Sequence, residues 1–121
     1  LAIVSDTYTP QVNGVARTLE RLASAVLARG GAVHVETVDD PTALRDPRVY
    51  RAPSTPFWAY SALRIAAPSR REMVERLAAF RPTLVPVATP FGVGLAGRSA
   101  ARALGVPVVS SYQTAFDESL Q

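Results

Sequence analysis

Short apolar runs alternate with helix-length amphipathic segments along the whole chain, and glycine or proline stops each helix before the next run begins. This alternation restricts the fold more than any other feature. The first run, Leu1 to Val4, is followed by a helical pattern from Gly14 to Arg29 with Val15, Leu19, Leu22, Ala23, Val26 and Leu27 on one face, closed by Gly30. A strand is predicted over Ala32–Val38, then a polar turn through Asp39, Asp40 and Pro41, and a short strand around Val49 and Tyr50. Ser69 and Glu72 form a capping box that opens a helix with inner face Met73, Val74, Leu77 and Ala78, and Pro82 ends it. Leu84–Ala88 reads as a strand whose Pro86 predicts an edge position or a bulge. A further helix over Gly92–Leu104, closed by Gly105, leads into a strand over Val106–Ser110. Between these units, residues 53–68 read as an irregular connection with a short extended piece at Leu63–Ala66, and Phe57, Trp58 and Tyr60 as cover for the core. Strands separated by helices of this length predict an α/β fold, a Rossmann-like parallel sheet with helices on both faces and ligands at the carboxyl ends of its strands. Three segments then face one cleft: Asp6–Gly14, Thr89–Gly94 and Ser111–Phe116.

With 121 residues, 48% of them hydrophobic, the chain supports one domain with a core but is small for a whole α/β enzyme. It begins on a strand without methionine and stops at Gln121 with no helix completed, so it reads as a fragment. No signal peptide or membrane-length apolar run is recognisable. The absence of cysteine excludes disulfides and thiol chemistry, and a single histidine argues against a zinc site. His34, inside a strand, reads as structural. All thirteen basic residues are arginine and lie scattered along the chain, which predicts no nucleic-acid partner.

The stretch SDTYTPQVNGVARTLERL joins the first strand to the first helix. Pro10 stops the strand, Asn13 suits a helix N-cap, and Gly14 brings no Cβ between the backbone and a ligand. Unpaired N–H groups at such a turn, with the positive end of the helix dipole, make a place for phosphate or another anion. An ordinary capped helix has the same spacing. Gly92, Gly94 and Gly97 spell G-x-G-x-x-G, but Thr89, Pro90 and Phe91 separate them from the strand and no acidic residue ends the next one. Their expected role is to let the helix start close to the cleft and pack on the sheet. Asp39 and Asp40 share a turn and Glu72 belongs to a cap, so no carboxylate pair suits glycoside hydrolysis.

The segments DTYTPQVNGVARTLERL, PSTPFWAYSALRIAAPSRREMVERLAAFRPTLV, VATPFGVGLAGRSAARALGVPVV and SYQTAF occur in this order over nearly the whole chain. Together they resemble the N-terminal domain of the family 4 retaining glycosyltransferases, particularly the bacterial lipid α-mannosyltransferases and sulfoquinovosyl-type enzymes. The resemblance implies the N-terminal half of a GT-B fold, with residues 1–121 as the acceptor-side domain and the C-terminal donor-binding domain absent from this chain. The implied activity is retaining transfer of a sugar, mannose being expected, from a nucleotide-diphosphate sugar to a lipid or glycolipid acceptor. It implies no cofactor and no metal, a cytoplasmic protein with peripheral contact at the inner membrane face, and inactivity without the second domain. Carried over by position, Asn13 and Gly14 meet the donor diphosphate, while Asp6, Tyr8 and Thr89 line the acceptor side. Gln113 stands where relatives carry a histidine that contacts the donor sugar. Glutamine can donate a hydrogen bond but cannot become cationic. Pro86 likewise stands where relatives often have histidine. Two alternatives remain open: a dinucleotide-binding oxidoreductase domain, and a non-catalytic binding module of the same fold.

Overall fold

The computed structural model describes residues 1–11, 13–57, 60–65, 68–88 and 92–110, with backbone alone over 55–65. In chain order the elements are β1 (Ala2–Val4), α1 (Gly14–Ala28), β2 (His34–Val38), β3 (Val49–Ala52), β4 (Thr55–Phe57), β5 (Tyr60–Ile65), α2 (Arg70–Phe80), β6 (Val85–Val87), α3 (Gly92–Ala103) and β7 (Val108–Ser110). Five strands form one parallel sheet in the order β3-β2-β1-β6-β7. From β1 the chain moves outward through β2 to β3, and from β6 it moves the opposite way to β7. The strand order therefore reverses between β1 and β6, and the crevice beyond their carboxyl ends is where a sheet of this kind receives its ligand.

Two expectations are corrected. Pro86 lies in β6, an interior strand flanked by β1 and β7, not at an edge. The Val85 amide donates to Pro107 O and the Ala88 amide to Val4 O, so alternation turns the Pro86 nitrogen toward β1. One ladder bond is missing there, while the Ala2 amide still reaches Leu84 O, and the strand survives with a gap on one side. The connection expected to be irregular contains the antiparallel pair β4–β5, with Pro56 opposite Arg64 and a register shift between Pro56 and Phe57. A strand with one partner can turn the proline nitrogen away from the ladder, which is why Pro56 is tolerated. Trp58 and the side chains of Phe57 and Tyr60 lie outside the described residues.

The even positions of β1, Ala2 and Val4, join Val38, Ala52, Val85 and Val87 under α2 and α3, against Met73, Leu77, Val93, Ala100 and Ala101. Ile3 and Val35 point to the other face, where Leu19 and Ala23 of α1 cover them. Helices thus occupy both faces, as the alternation predicts. The buried stripe of α1 is Ala16, Leu19 and Ala23, whereas Val15, Leu22 and Leu27 remain exposed at its margins. Small residues let one helix approach closely but cover only a narrow strip. Ala78 of α2 is also exposed. On α3 a Cβ at Gly97 would lie 2.3 Å from Val4 Cγ1, so this glycine sets how closely the helix meets β1.

Glu36 on β2 is 1% exposed beneath α2. Its carboxylate accepts from Arg76 Nε at 2.9 Å and Nη2 at 2.9 Å, and His34 Nε2 lies 2.6 Å from Oε2. The guanidinium also stacks over the Tyr50 ring, 3.4 Å from its centroid. Burial alone pulls the Arg76 pKa down, but the hydrogen bonds and charge of Glu36 outweigh it and the net shift is upward. His34 is structural, as expected. Arg76→Ala strands a buried carboxylate and is expected to lower unfolding stability by about 3–5 kcal/mol in denaturant titration. A loss near that of an exposed pair, about 0–1 kcal/mol, contradicts this reading.

Candidate functional site at the strand-order reversal

Beyond β1 the chain makes a short polar loop held by its own side chains. Ser5 Oγ donates to Thr7 O at 2.6 Å and accepts from the Thr7 amide at 3.1 Å. Thr7 Oγ1 donates to Gln11 Oε1 at 2.5 Å and accepts from Asn13 Nδ2 at 2.8 Å. Asn13 Oδ1 then accepts from the Ala16 amide at 2.8 Å, so the predicted N-cap is present. Asn13 and Gly14 are exposed, and a Cβ at Gly14 would meet nothing within 4 Å. The Gly14 and Val15 amides have no hydrogen-bond partner among the described residues, and the first turn of α1 carries no acidic residue. This helix end therefore presents free donors and positive dipole to the crevice.

The N-terminus of α3, beside it at the end of β6, is filled. Asp6 is 3% exposed, and its Oδ1 accepts from the Val93 amide at 2.7 Å while Oδ2 accepts from the Gly94 amide at 3.1 Å. A buried carboxylate on two helix-terminal amides supplies the charge that a phosphate would bring. The Val93 and Gly94 amides of the G-x-G-x-x-G segment are consequently committed to Asp6, which argues against their holding a dinucleotide phosphate. Gly97 serves packing against Val4. Asp6, read from the sequence as lining the acceptor side, has both oxygens directed at α3.

Tyr8 is largely buried against the α1 face and borders a groove of about 680 Å³ between α1 and the β2–β3 loop. Glu20, Arg45, Asp46 and Arg51 also line it. Burial, then the charges of Glu20 and Asp46, raise the Tyr8 phenol above its ordinary value, so it remains a neutral donor. Arg51 was not singled out in the sequence. Its Nη2 donates to Thr9 O at 2.5 Å and its Nη1 to Val38 O at 3.1 Å, which pins the loop to β2. The available signal is an arginine in the strand segment Val49–Ala52. Thr89 and Gln113 lie outside the described residues.

Two substitutions separate the helix ends. Asp6→Ala leaves two buried amides without acceptors and is expected to cost about 3 kcal/mol. Gly14→Ala enters open space with better helix propensity and is expected to add about 0.5–1 kcal/mol. Chemical denaturation of both variants checks the pair; equal effects contradict the assignment.

Residues 12–120 match the Glycosyltransferase Family 4 model. The alpha-monoglucosyldiacylglycerol synthase of Streptococcus pneumoniae is 32% identical over 120 residues, covering 98% of this chain and 27% of the relative. GDP-mannose-dependent alpha-mannosyltransferases of Mycobacterium tuberculosis and Mycolicibacterium smegmatis are each 36% identical over 121 residues, covering 94% of this chain and 32% of the relative. The chain thus spans about a third or less of the length of these relatives. Together with the parallel sheet and the reversal-point loop, the family match establishes that this chain belongs to glycosyltransferase family 4.

Proposed function

We propose that this chain is the N-terminal, acceptor-side half of a retaining hexosyltransferase of GT-B architecture. It works with a C-terminal donor-binding domain to move a sugar, mannose in the first instance, from a nucleotide-diphosphate donor to a lipid or glycolipid acceptor. The observation that carries the reading is the contrast between the two helix ends: α3 is neutralised by Asp6, and α1 offers the Gly14 and Val15 amides unpaired. As the bond from the sugar C1 to the diphosphate oxygen breaks and the bond to the acceptor oxygen forms, charge grows on the leaving diphosphate. Fixed amides at that position stabilise it without reorganising. Neither a cofactor nor a metal has a role in this scheme.

The groove beside Tyr8 and Arg51 takes the polar head of the acceptor, with Thr89 on the same side, and Gln113 donates a hydrogen bond to the donor sugar. Mannose is supported by the GDP-mannose-dependent mycobacterial relatives, and a lipid acceptor by the streptococcal alpha-monoglucosyldiacylglycerol synthase. Such a protein would act in the cytoplasm at the inner membrane face, and the 121-residue chain alone would not turn over.

Gly14→Asp provides the test in the full-length protein. An acidic residue in the first turn stabilises α1 but repels a diphosphate, so transfer of labelled mannose from GDP-mannose into a lipid extract should fall about 100-fold with no loss of thermal stability. Unchanged transfer excludes the α1 terminus as the diphosphate site. Gln113→His is expected to raise the rate if the glutamine is an impaired catalytic group; no gain assigns it a different role. Transfer by the isolated chain contradicts the need for a second domain.

A further inference from the structure

The side chains of β3 alternate between the two helical layers. Tyr50 and Ala52 pack under α2 and α3, while Val49 joins the cluster beneath α1. Arg51 shares the α1 side with Val49, beside Thr37 in the register of β2 and β3, and lines the groove along α1. It is half-buried there, and its one guanidinium serves two carbonyl oxygens. Nη1 donates to Val38 O, 13 residues away at the end of β2, and Nη2 to Thr9 O, 42 residues away in the loop after β1.

Thr9 lies inside the turn that the Gln11 amide closes on Tyr8 O. From Gln11 Oε1 the bonds run through Thr7 Oγ1 to Asn13 Nδ2, and Asn13 Oδ1 accepts from the Ala16 amide at the start of α1. Among the described hydrogen bonds of residues 7–13, all but that of Arg51 stay within the loop and the first turn of α1. Without Arg51 the loop keeps its internal bonds but loses this tie to the sheet, and the Gly14 and Val15 amides lose a fixed position with it. Donors that stabilise a charge must already point at it, and a misplacement of about 1 Å costs on the order of 100-fold. We infer that Arg51 is a positioning residue for the transfer reaction, acting through Thr9 to hold the α1 terminus where the donor diphosphate meets it. The inference rests on the donor reading above. Burial lowers the Arg51 pKa, and the charges of Asp40, Asp39 and Asp46 oppose that shift, so the positive charge is answered within the β2–β3 region. What the guanidinium supplies to the loop is two N–H bonds in one rigid plane, which a lysine ammonium does not reproduce.

Amide exchange in the free, isotopically labelled full-length protein, followed by titration with GDP in the absence of acceptor, tests this in Arg51→Lys, Arg51→Gln and Arg48→Gln. Arg48 carries the same charge on the same connection, but it is exposed and its side chain meets only Asp46, at 3.7 Å, among the described residues. In both Arg51 variants the Ala16 amide is expected to exchange faster, and GDP to bind at least about tenfold more weakly. That loss is expected to be the same at low and high salt, because it is positional and not Coulombic. Arg48→Gln is expected to change neither quantity. Arg51→Lys keeps the charge, and its unchanged thermal melting separates a displaced loop from a damaged fold even where Arg51→Gln melts early. Unchanged Ala16 exchange in Arg51→Lys, wild-type GDP affinity in that variant, or a loss that disappears at high salt overturns the inference. Faster Ala16 exchange combined with no GDP binding by the wild-type protein upholds the tether and overturns the donor reading instead.

Discussion

The contact between the Asp6 carboxylate and the first amides of α3 organises the crevice. β1 and β6 are neighbours, and each is followed by a helix starting at the carboxyl end of the sheet. Two positive helix ends therefore start at the same end of neighbouring strands, and leaving α3 without an acceptor would strand the buried Val93 and Gly94 amides. Asp6, at the exit of β1, answers the need of the helix that follows β6, eighty-seven residues later in sequence. This cross-tie joins the two halves of the sheet and leaves the α1 terminus as the open donor surface.

The loop that carries that surface is held mainly by short polar side chains. Ser5, Thr7, Gln11 and Asn13 form a connected set of hydrogen bonds, and Arg51 fixes its far side by gripping Thr9 O. Preorganisation of this kind lets amides meet a charged group at little entropic cost. On the opposite face of the sheet, Glu36 and Arg76 bind α2 to β2 through a buried ion pair that hydrogen bonds and the Tyr50 ring complete. Such a pair is expensive to bury but more expensive to break. It fixes α2 against the sheet.

Much of this was legible in the sequence, because local rules and global topology agree. The Gly14–Arg29 pattern, the Ser69 cap and the closing glycines mark each helix, and Gly30 and Gly105 do adopt positive φ, at 80° and 70°. The failures have physical causes. Pro86 reads as an edge signal because it lacks an N–H, yet within the parallel ladder that lack removes a bond on one side only and the apolar strand around it stays interior. Periodicity selected too broad a face on α1, since it cannot distinguish the residue beneath a helix from one at its margin. Asp6 was legible as a cleft residue, but its partners lie far along the chain and no spacing announces them.

A membership in family 4 combined with one neutralised and one open helix end makes a claim at the level of individual amides. Titrating GDP into the isotopically labelled full-length protein and following backbone amide resonances tests it most directly. The account predicts saturable shifts at Gly14 and Val15, with Val93 and Gly94 unmoved because Asp6 retains them. Shifts centred on Val93 and Gly94, with Gly14 and Val15 silent, would contradict it.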